Sequence, residues 1–538
     1  MKKIILFCFI SLLLISSCKN NDTEKKVITK LSLSQTQAQL AQGDSLSLIL
    51  SYTPADLPAP TCTWTSSDST VARVDNKGKI KALGRGTTTI MVATTADASG
   101  IVISAQCKLT VTYKGDGSAS NPYLIYTVAD LKAIRDSINT KNDVYGNKAY
   151  KLMADLDFTK ETGDWTPIGD TTTVAFKGVF DGNRKTIKGV RIGSYGFRKN
   201  IQYAGFFGVI DEAEIKNLGV AWDYITPYTL TKNINYYIGC IAAYGSGNIT
   251  DCSSSGSFCS YADTCYDGGI IGYGCATTNI TNCHYETGTV SSTNYQEQPQ
   301  YCVGGIAGYI SGTISNCYSN GLTNGSDKYE GGIAGYSIGT IVNCYCTNGT
   351  SIWFIPECTS GGIAGHQTGT IVNCYSTNEA QGGYAGGIVG EGGNITNCYA
   401  TGFVLGKKYA CGIAATANNV NYCIALNSNY SGGTLNANIY GYGSISNVSN
   451  VSRICYLLPS SAITNGNYAA TSIVMKNHYR TDETITDFSD TKLNGFDLTA
   501  QPVDLLNAYV SANPTFNNIG LKRWKVTAGV NNGYPVFE

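Results

Sequence analysis

The chain has 538 residues and no net charge at pH 7; only 14% of its residues are charged, but it contains 61 Gly, 37 Tyr and 20 Cys. A protein that binds nucleic acid normally carries a basic stripe. Since the sequence has none, we exclude a nucleic-acid partner. Apolar residues recur throughout the stretches rich in Ser, Thr, Asn and Tyr, and this indicates β-structure with polar outer faces rather than disorder.

The first eighteen residues, MKKIILFCFISLLLISSC, are typical of an export signal, because two lysines precede an apolar run and small residues. Their last four resemble the lipobox of bacterial lipoproteins, which implies cleavage before Cys18 and diacylation of its thiol. Residues 19–27 then form a polar tether. No later stretch has the 18 or so apolar residues of a spanning helix. We expect an exported protein held at the outer membrane or cell surface by lipid.

Residues 28–113 contain short alternating runs broken by turn residues, the pattern of a β-sandwich. The stretch TWTSSDSTVARVDNKGKIKALGRGTTTI at 63–90 closely resembles the group 2 bacterial immunoglobulin-like (Big) domain. The resemblance implies a spacer or adhesive module in which Trp64 packs in the core and Asn76 to Gly78 turn a hairpin. Cys62 and Cys107 are its only cysteines, and export permits a disulfide between them.

A helix is predicted after the short linker at 114–122. Thr127 and Asp130 have the spacing of a capping box, and Leu131, Ile134 and Ile138 follow on one helical face. Short strand-like runs joined by Gly turns follow from 150 to 193. We therefore interpret residues 115–200 as an N-terminal cap and the first coils of a solenoid.

From 201 to 425 the chain repeats one phrase. GGIAGYSIGTIVNC at 331–344 returns as GGIAGHQTGTIVNC at 361–374. The closing cysteine recurs every 24 to 34 residues, at Cys252, Cys283, Cys317, Cys344, Cys374, Cys398 and Cys423. A unit of this size cannot bury its apolar face alone, so the repeat predicts a right-handed parallel β-helix of about ten coils. An earlier copy has Leu218 in place of the cysteine, and we therefore interpret these thiols as a buried structural ladder.

The positions within a unit follow from this geometry. The isoleucines after the double glycine and before the asparagine are expected to stack inside the solenoid. The glycines permit positive φ and close backbone approach. The asparagines, which tolerate the left-handed conformation at a bend, can hydrogen-bond from coil to coil; they are Asn282, Asn316, Asn343, Asn373 and Asn397.

The GGIAG core at 304–308, 331–335 and 361–365 resembles the GLUG-motif repeats of bacterial surface proteins. That resemblance implies an exported, cell-surface or adhesive role without one agreed activity. The final LKRWKVTAGVNNGYPVFE resembles the segment that often closes such proteins. We predict degenerate coils and a C-terminal cap at 426–538, in which a short helix at 502–510 covers the last edge against end-to-end pairing.

The sequence gives little support for a metal site formed by cysteines or for a nucleophilic serine. With three histidines and no C-x-x-C pair in the ladder, we expect neither a metal nor another cofactor. Disulfides between Cys259 and Cys265 and between Cys346 and Cys358 remain open beside free thiols. Ser337 lies in a formal G-x-S-x-G match, but aligned units place other residues there, so we interpret the match as repeat drift.

An enzyme remains an alternative because a β-helix can carry the site of a polysaccharide lyase or glycosidase. The nearest cluster of charged groups is Asp155, Asp157, Asp181, Arg184 and Lys185, which we interpret as turn residues and solvated strand faces. Residues 239–423 contain only three Lys or Arg and ten Asp or Glu, scattered over different positions. We therefore predict no catalytic residues.

Tyrosines at two fixed positions are the candidate binding residues. Stacked coils would align them at about 4.8 Å per step on the outside; they are Tyr309 and Tyr336 after the GG-I-x-G core, with Tyr273 in an earlier unit, and Tyr318, Tyr345, Tyr375 and Tyr399 after the cysteine. Exposed aromatic rows bind sugars or proteins, although tyrosine is also a good strand residue. We expect an adhesive module that binds a glycan or a host or cell-surface protein. A polysaccharide-active enzyme and a passive spacer are the alternatives.

Overall fold

The computed structural model describes residues 26–427 apart from 97–99, 141, 194–200, 228–233, 261–263, 293–299, 326–327, 348–349 and 353–357, the backbone of short strands between 429 and 497, and residues 500–538. The chain divides into two compact units, residues 1–114 and 115–538. Cys18 and its proposed lipid site lie outside the described residues.

The first unit is a β-sandwich. It contains a two-stranded, a four-stranded and a three-stranded sheet. The two-stranded sheet pairs Lys30–Leu33 with Leu50–Thr53, and the four-stranded sheet has the order Gln37–Ala41, Ser104–Thr112, Gly86–Thr94 and Cys62–Ser66. The three-stranded sheet has the order Ser45–Ser47, Lys79–Ala82 and Ala72–Val74. Buried and exposed residues alternate along these strands, as they do in Lys79–Ala82. The inward set, which includes Ile80, Ile90 and Leu109, forms the core.

The hairpin and the tryptophan of this unit are where the sequence predicts them. Trp64 is half-buried and packs against the core. Gly78 has φ 78° in the turn between two antiparallel strands. The disulfide prediction is wrong, since Cys62 and Cys107 are both thiols. They lie on strands either side of Gly86–Thr94, where Cys62 is opposite Thr94 and Cys107 is opposite Ile90.

The second unit begins with the predicted helix, Val128–Thr140, followed by a short one at Asn142–Tyr145. The capping box is reciprocal: the Asp130 N–H donates to Thr127 Oγ1 at 3.1 Å, and the Thr127 N–H donates to Asp130 Oδ2 at 3.0 Å. Leu131, Ile134 and Ile138 are buried. The first strands of the solenoid flank the helices, and a 3-10 turn at Thr172–Val174 follows.

Parallel strands then stack in columns, so that each coil adds a strand to each column. The first column contains parts of Tyr203–Ile225 and Asn235–Thr250, then Thr264–Gly268, Gln300–Gly304, Tyr329–Gly331, Thr359–Gly361, Ala380–Gly386, Val404–Cys411 and Val451–Ser452. The second column continues from the same two long strands with Ile271–Gly274, Ala307–Ile310, Ala334–Ser337, Ala364–Gln367, Val389–Glu391, Ala414–Thr416 and Cys455–Leu457.

A third column runs through Tyr123–Ile125, Ala149–Leu152, Val179–Ile192, the two long strands, Asn279–Thr281, Thr313–Ser315, Thr340–Val342, Thr370–Val372, Asn394–Thr396, Asn419–Asn421 and Thr464–Asn465. A fourth contains Leu156–Asp157, Ser253–Ser255, His284–Tyr285, Tyr318–Ser319, Tyr345–Cys346, Tyr375–Ser376, Tyr399–Ala400, Ile424–Ala425, Tyr468–Ala469 and Phe496–Asp497. The fifth contains Phe258–Ser260, Thr289–Ser292, Leu322–Gly325, Thr350–Ile352, the first residues of Ala380–Gly386 and of Val404–Cys411, Asn429–Gly432, Ile473–Asn477 and the antiparallel Arg480–Ile485. The stacked parallel columns confirm the β-helix.

The bend between the third and fourth columns is made by the residue before the cysteine. Asn282, Asn316, Asn343, Asn373 and Asn397 all have φ between 53° and 55°. Their amides hydrogen-bond from coil to coil; Asn373 Nδ2, for instance, donates to Asn343 Oδ1 at 2.7 Å. The asparagine prediction is therefore right.

The double glycines are needed for close approach rather than for positive φ. A Cβ atom on Gly332 would overlap the carbonyl oxygen of Gly362 and the sulfur of Cys346. Cys346 therefore points into the solenoid beneath the glycine. Cys346 and Cys358 are thiols, as are Cys259 and Cys265, so neither pair forms the disulfide that the sequence left open.

The seven repeat cysteines are buried inside the solenoid, at 0% exposure. The N–H of Cys344 donates to the sulfur of Cys374 at 3.3 Å, and the Cys344 thiol donates to the Val342 carbonyl at 3.2 Å. Desolvation by burial raises the pKa of the Cys283, Cys317, Cys374 and Cys423 thiols. Leu218 is also buried, at 1%. These contacts fit the structural interpretation.

The C-terminal helix spans Pro502–Ala512, as predicted, and is followed by two small hairpins, Thr515–Phe516 with Ile519–Gly520 and Trp524–Lys525 with Val536–Phe537, with a 3-10 turn at Asn531–Gly533. Its predicted place over the last edge is wrong. The segment packs along the side of the solenoid, where Leu506, Val510, Leu521 and Trp524 cover residues of several successive coils. The physical reason is that Val342, Val372, Tyr375 and Tyr399 offer an apolar surface there.

Candidate aromatic binding surface

The tyrosines after the GG-I-x-G core form one outward column, because they occupy one register position on the second column of strands. Tyr273 and Tyr309 have ring centroids 4.3 Å apart at 8°. Tyr309 and Tyr336 are 5.4 Å apart at 16°. The column begins at Tyr244 and ends at His366, whose ring is 4.5 Å from that of Tyr336.

A second outward column, absent from the sequence-based candidates, lies beside it on the first column of strands. Its members are Tyr203, Tyr237, Tyr266 and Tyr329. Tyr203 and Tyr237 are 5.3 Å apart at 3°, and Tyr237 and Tyr266 are 5.4 Å apart at 11°. Cys302 takes the place between Tyr266 and Tyr329. We call the two columns together the tyrosine face: Tyr203, Tyr237, Tyr266 and Tyr329 with Tyr244, Tyr273, Tyr309, Tyr336 and His366.

The two columns meet edge to face. Tyr266 contacts Tyr273 at 5.3 Å and 89°, and Tyr329 contacts Tyr336 at 5.1 Å and 80°. Rings parallel within a column and nearly perpendicular between columns form a herringbone, which satisfies the electrostatic preference of aromatic pairs. The face is therefore pre-organised before any ligand arrives.

Most rings of this face are half-buried, so their outer parts contact solvent. Desolvation by burial raises the pKa of Tyr244 and of Tyr266 to about 12. These phenols are consequently neutral hydrogen-bond donors and acceptors at physiological pH. The face thus offers apolar ring surface together with hydroxyl groups.

Charged groups are found at one end of the face. Lys328 Nζ lies 5.3 Å from the Tyr329 ring centroid. His366 Nδ1 is 3.5 Å from Glu391 Oε2. The adjacent His366 ring lowers the pKa of Glu391. The remainder of the tyrosine face is uncharged, since its members are tyrosines.

The tyrosines after the cysteine form a separate row on the fourth column, which we call the His284–Tyr399 row: His284, Tyr318, Tyr345, Tyr375 and Tyr399. Successive rings are 4.7–5.2 Å apart and within 8° of parallel. The row is not uniformly exposed. Tyr375 and Tyr399 are only 3% and 0% exposed.

The prediction that Tyr375 and Tyr399 are outward binding residues is therefore wrong. Trp524 covers both, with ring centroids 5.8 Å from Tyr375 and 5.5 Å from Tyr399. The Trp524 indole N–H donates to Asn373 Oδ1 at 2.8 Å. The N–H of Lys522 donates to Asn343 Oδ1 at 3.1 Å. The asparagine bend thus holds the C-terminal segment over the rings.

The charged residues considered for catalysis have separate structural partners. Asp155 Oδ1 accepts from the Thr186 N–H at 2.8 Å. Asp157 forms an ion pair with Lys188 at 3.1 Å and accepts a hydrogen bond from the Thr159 N–H. The hydrogen bonds from Thr159 lower the pKa of Asp157 to about 2. Asp181 accepts from the N–H of Asn183 at 2.8 Å. Arg184 has a φ of 57° in the same turn.

Ser337 is buried inside the coil at 0% exposure, aligned with Ile310 and Gln367. A nucleophile must reach its substrate, so the G-x-S-x-G match offers none here. Among the described residues, no group of three or more His, Cys, Asp or Glu is arranged to hold a metal ion. Nor does any described helix have the length and apolarity needed to cross a membrane.

Short stretches of the chain are similar to parts of known proteins. A 117-residue stretch is 37% identical to a protein of Evansella cellulosilytica named "Putative Gly-rich membrane protein", covering 21% of this chain and 12% of that one. A 63-residue stretch is 44% identical to a 3-O-alpha-D-galactosyl-alpha-L-arabinofuranosidase of Bifidobacterium longum, covering 12% and 6%. The chain therefore spans only a small part of these relatives.

Among solved structures, a "putative immunoglobulin A1 protease" from Bacteroides ovatus is 19% identical with a TM-score of 0.31, covering 79% of this chain and 94% of that one. Family models match two parts of the sequence. Residues 27–101 match the bacterial Ig-like domain (group 2), and residues 300–324 match the GLUG motif. The chain thus joins a group 2 bacterial Ig-like domain to a β-helix that contains the GLUG motif.

Proposed function

We propose that this protein is a cell-surface lipoprotein whose β-helix binds glycans through the tyrosine face. The observation that carries the proposal is the two-column herringbone, an aromatic surface that continues across successive coils. The rings are held by a rigid backbone and by one another, so little conformational entropy is lost when a ligand lies across them. Aromatic pairs contribute on the order of 0.5–1.5 kcal/mol beyond their buried area, and we expect the same range for each ring that a sugar covers.

A glycan fits this face better than a protein surface does. Sugars present C–H groups and hydroxyls side by side, and the face presents ring surface and neutral phenols in the same way. Protein partners are usually steered by complementary charge. Residues 239–423 have only three Lys or Arg and ten Asp or Glu to provide it, and of these Asp267 and Glu330 are buried. A linear array of equivalent positions also suits a polymer with a repeating unit.

The site can be tested with two stacked pairs from neighbouring coils. In Tyr273→Ser with Tyr309→Ser, the chain from residue 19 onward is expected to lose at least about fivefold in affinity for the glycans it binds on an array. The control is His284→Ser with Tyr318→Ser, a stacked pair on the other row with a similar centroid distance, 4.7 against 4.3 Å. Equal losses in both variants, with the fold intact by circular dichroism, would contradict the proposal.

The anchor is a separate part of the proposal. The sequence around Cys18 and the polar tether at 19–27 support lipidation of that thiol. In this proposal the Ig-like unit, which follows the tether along the chain, acts as a spacer. Cys18→Ser is expected to move the protein from the membrane fraction to the soluble fraction. A mutant that stays in the membranes would disprove the lipid anchor while leaving the glycan site untouched.

A further inference from the structure

The C-terminal segment shows how the asparagine bend binds a stretch of polypeptide. Asn343 Nδ2 donates to the Gly520 carbonyl at 2.8 Å, and its Oδ1 accepts from the Lys522 N–H at 3.1 Å. One coil later, Asn373 Nδ2 donates to the Lys522 carbonyl at 2.9 Å, and its Oδ1 accepts from the Trp524 indole N–H at 2.8 Å. Successive coils therefore bind alternate residues of the segment.

These bonds use positions that the asparagines do not need for one another. An asparagine side chain has two N–H donors and an oxygen that accepts two hydrogen bonds. From coil to coil, Asn343 donates one bond to Asn316 at 3.0 Å and accepts one from Asn373 at 2.7 Å. Asn373 in turn accepts one from Asn397 at 2.7 Å. The stacking thus takes one donor and one acceptor from each amide, and the C-terminal segment takes the others.

Two coils earlier, the equivalent amides are not covered. Asn316 Oδ1 accepts from Asn343 Nδ2, and Asn282 Nδ2 donates to Asp251 Oδ1 at 3.1 Å. Within the described part of the chain these are the only hydrogen bonds of the two side chains. Asn282 is exposed and Asn316 is half-buried, whereas Asn343 and Asn373 are buried. Both amides therefore keep donor and acceptor positions for a ligand.

The aromatic rings repeat in the same way. Trp524 covers Tyr375 and Tyr399, and the strand register puts Tyr318 and Tyr345 in the equivalent positions two coils earlier. The rings of this earlier pair are 5.0 Å apart at 8°, against 5.2 Å and 1° for the covered pair. Both earlier rings are half-buried. We call this set the uncovered site: Asn282, Asn316, Tyr318 and Tyr345.

The flank of the uncovered site is more polar than that of the covered one. Thr281 and Ser315 occupy the positions at which Val342 and Val372 pack against the C-terminal segment, and their hydroxyls are 3.1 Å apart. Less apolar surface is available here, so a ligand depends more on hydrogen bonds, ring contact and charge.

Two carboxylates supply that charge. Glu286 Oε1 lies 2.8 Å from His284 Nε2 and accepts from Tyr318 Oη at 3.3 Å, and the Glu286 side chain is still 45% exposed. Asp251 is exposed beside Asn282, whose amide it accepts. A carboxylate has about four lone-pair positions, so both groups can accept further donors. The uncovered site is therefore bordered by negative charge.

We propose that the uncovered site binds a segment of another protein that carries a tryptophan among basic residues. The C-terminal segment supplies the pattern, since LKRWK at 521–525 places three cations around Trp524. In the equivalent pose the indole of the partner covers Tyr318 and Tyr345 and donates to Asn316 Oδ1, while its cations lie near the two carboxylates. The chain's own segment is already bound to later coils, so the occupant comes from a different protein. The inference is independent of the proposed glycan-binding function.

The probe is a synthetic peptide with the sequence of residues 519–526, IGLKRWKV, blocked at both ends. The chain from residue 19 onward is expected to bind it in a fluorescence anisotropy titration. A peptide with Ala in place of the tryptophan is expected to bind at least about tenfold more weakly, because buried tryptophans dominate interfaces. Replacing the three cations with Gln is expected to weaken binding about threefold at low salt and to have no effect at 1 M salt, where the Debye length is about 3 Å.

Two matched variants of the bend assign the binding to the uncovered site. Asn282→Gly removes the amide, and glycine tolerates the φ of 55° at this position, so we expect at least about a fivefold loss of peptide affinity. The control is Asn217→Gly, two coils earlier. Asn217 also has φ 55°, and its Nδ2 also donates to a carboxylate, that of Asp181, at 3.1 Å. This control is expected to bind the peptide as the wild type does.

The ring variants of the glycan test serve here with their roles exchanged. His284→Ser with Tyr318→Ser is expected to lose about fivefold in peptide affinity, whereas Tyr273→Ser with Tyr309→Ser keeps it. Thermal melts check that each variant is folded. Peptide binding that falls in the tyrosine-face variant and not in the other would overturn the uncovered site. Failure to bind glycans on the array leaves the peptide result unaffected, so the two proposals can fail separately.

Three further outcomes would overturn the inference. The first is a peptide that binds Asn282→Gly as well as the wild type and exposes 500–538 to hydrogen exchange, because it then displaces the chain's own segment. The second is a dimer that forms without peptide and is broken by Asn282→Gly, since the occupant would then be a second copy. The third is the absence of binding at about 1 mM peptide, the level of a very weak complex.

Discussion

The tyrosine face and the His284–Tyr399 row are both built from stacked aromatic rings, but different residues flank them. In both, one aromatic position per coil is repeated until rings stack at 4.3–5.4 Å. In the tyrosine face, the two columns of tyrosines lie side by side. The His284–Tyr399 row instead has Val342 and Val372 and the asparagine bend on its flank, and there the C-terminal segment is bound.

The difference shows that a stacked aromatic column is not in itself a binding site. Its neighbours decide its use. Tyrosine neighbours satisfy the ring edges and leave a half-buried polar surface, whereas valines and asparagine amides attract a segment that carries Trp524 and a hydrogen-bonding backbone. The four experiments below test that distinction, beginning with the one expected to have the largest effect.

The covered row depends on Trp524. We expect Trp524→Ala to cost about 3–5 kcal/mol, because a buried aromatic is removed and its cavity is left behind. The loss is expected in the C-terminal segment, whose other contacts with the row include Phe537, 5.4 Å from the Tyr375 ring. Hydrogen exchange would show loss of protection at 500–538 and around Asn343 and Asn373.

Tyr309→Ala on the tyrosine face is the control for this experiment. Its ring is half-exposed, so we expect a smaller loss of stability and no change in exchange at 500–538. If Trp524→Ala left the protection of the C-terminal segment unchanged, the covered row would not be what holds that segment.

The interior beneath the tyrosine face contains a carboxyl group, that of Asp267, whose protonation depends on pH. Asp267 is fully buried, and desolvation raises its pKa to about 8 from 3.8, while Ser260 Oγ donates to its Oδ2 at 2.5 Å. Between these two values the folded protein keeps a proton that the unfolded chain releases. Stability is therefore complete below about pH 4 and falls by up to about 1.4 kcal/mol per pH unit as the pH rises towards 8.

Asp267→Asn is expected to flatten this part of the pH profile, measured by denaturant unfolding from pH 4 to 8. The variant keeps nearly the same shape and has no proton to lose. Glu330 is aligned with Asp267 two coils away and remains in both proteins, so the difference between the two profiles isolates Asp267. Parallel profiles for variant and wild type would rule out a buried, protonated carboxyl.

A smaller effect is expected at Tyr399, whose hydroxyl is buried. It donates to the carbonyl of Pro535 and accepts from Asn531 Nδ2 at 2.8 Å. Tyr399→Phe leaves these partners only their own hydrogen bond, from Asn531 Nδ2 to the Pro535 carbonyl at 3.3 Å, so we expect a loss of about 0.5–1.5 kcal/mol in the free energy of unfolding. Urea unfolding of the variant beside the wild type measures it. A loss under about 0.5 kcal/mol would mean that water reaches this hydroxyl.

The periodicity of the sequence was sufficient for much of the fold. The I-x-N-C phrase predicts the stacked coils, the left-handed asparagines and the buried cysteines, because each depends on contacts between equivalent positions of neighbouring coils. The capping box of Thr127 and Asp130 could also be predicted, because its two residues are only three positions apart in the sequence. Local rules succeed where the partner of a residue is its own copy one coil away.

The same reasoning failed where the partner lies far along the chain. Nothing within a repeat distinguishes Tyr345 from Tyr399, but the C-terminal segment, more than a hundred residues later, buries the second with Trp524 and Pro535. The first column of the tyrosine face did leave a signal that was missed. Tyr266 and Tyr329 each lie two residues before a double glycine, in the most variable part of the unit, as Tyr384 does in a later coil.

The smallest effect is predicted for Tyr309→Phe, and it is the sharpest test of whether the tyrosine face is a surface. The substitution keeps the ring, and therefore its stacking on Tyr273 and Tyr336, and removes only a hydroxyl from a half-exposed side chain. Surface substitutions of this kind usually change stability by less than about 0.5 kcal/mol. Urea unfolding, run in parallel with Tyr399→Phe, is expected to give a value within that limit. If both variants lost the same stability, the two hydroxyls would be equally buried, and the tyrosine face would be a second core of the solenoid with no room for a ligand.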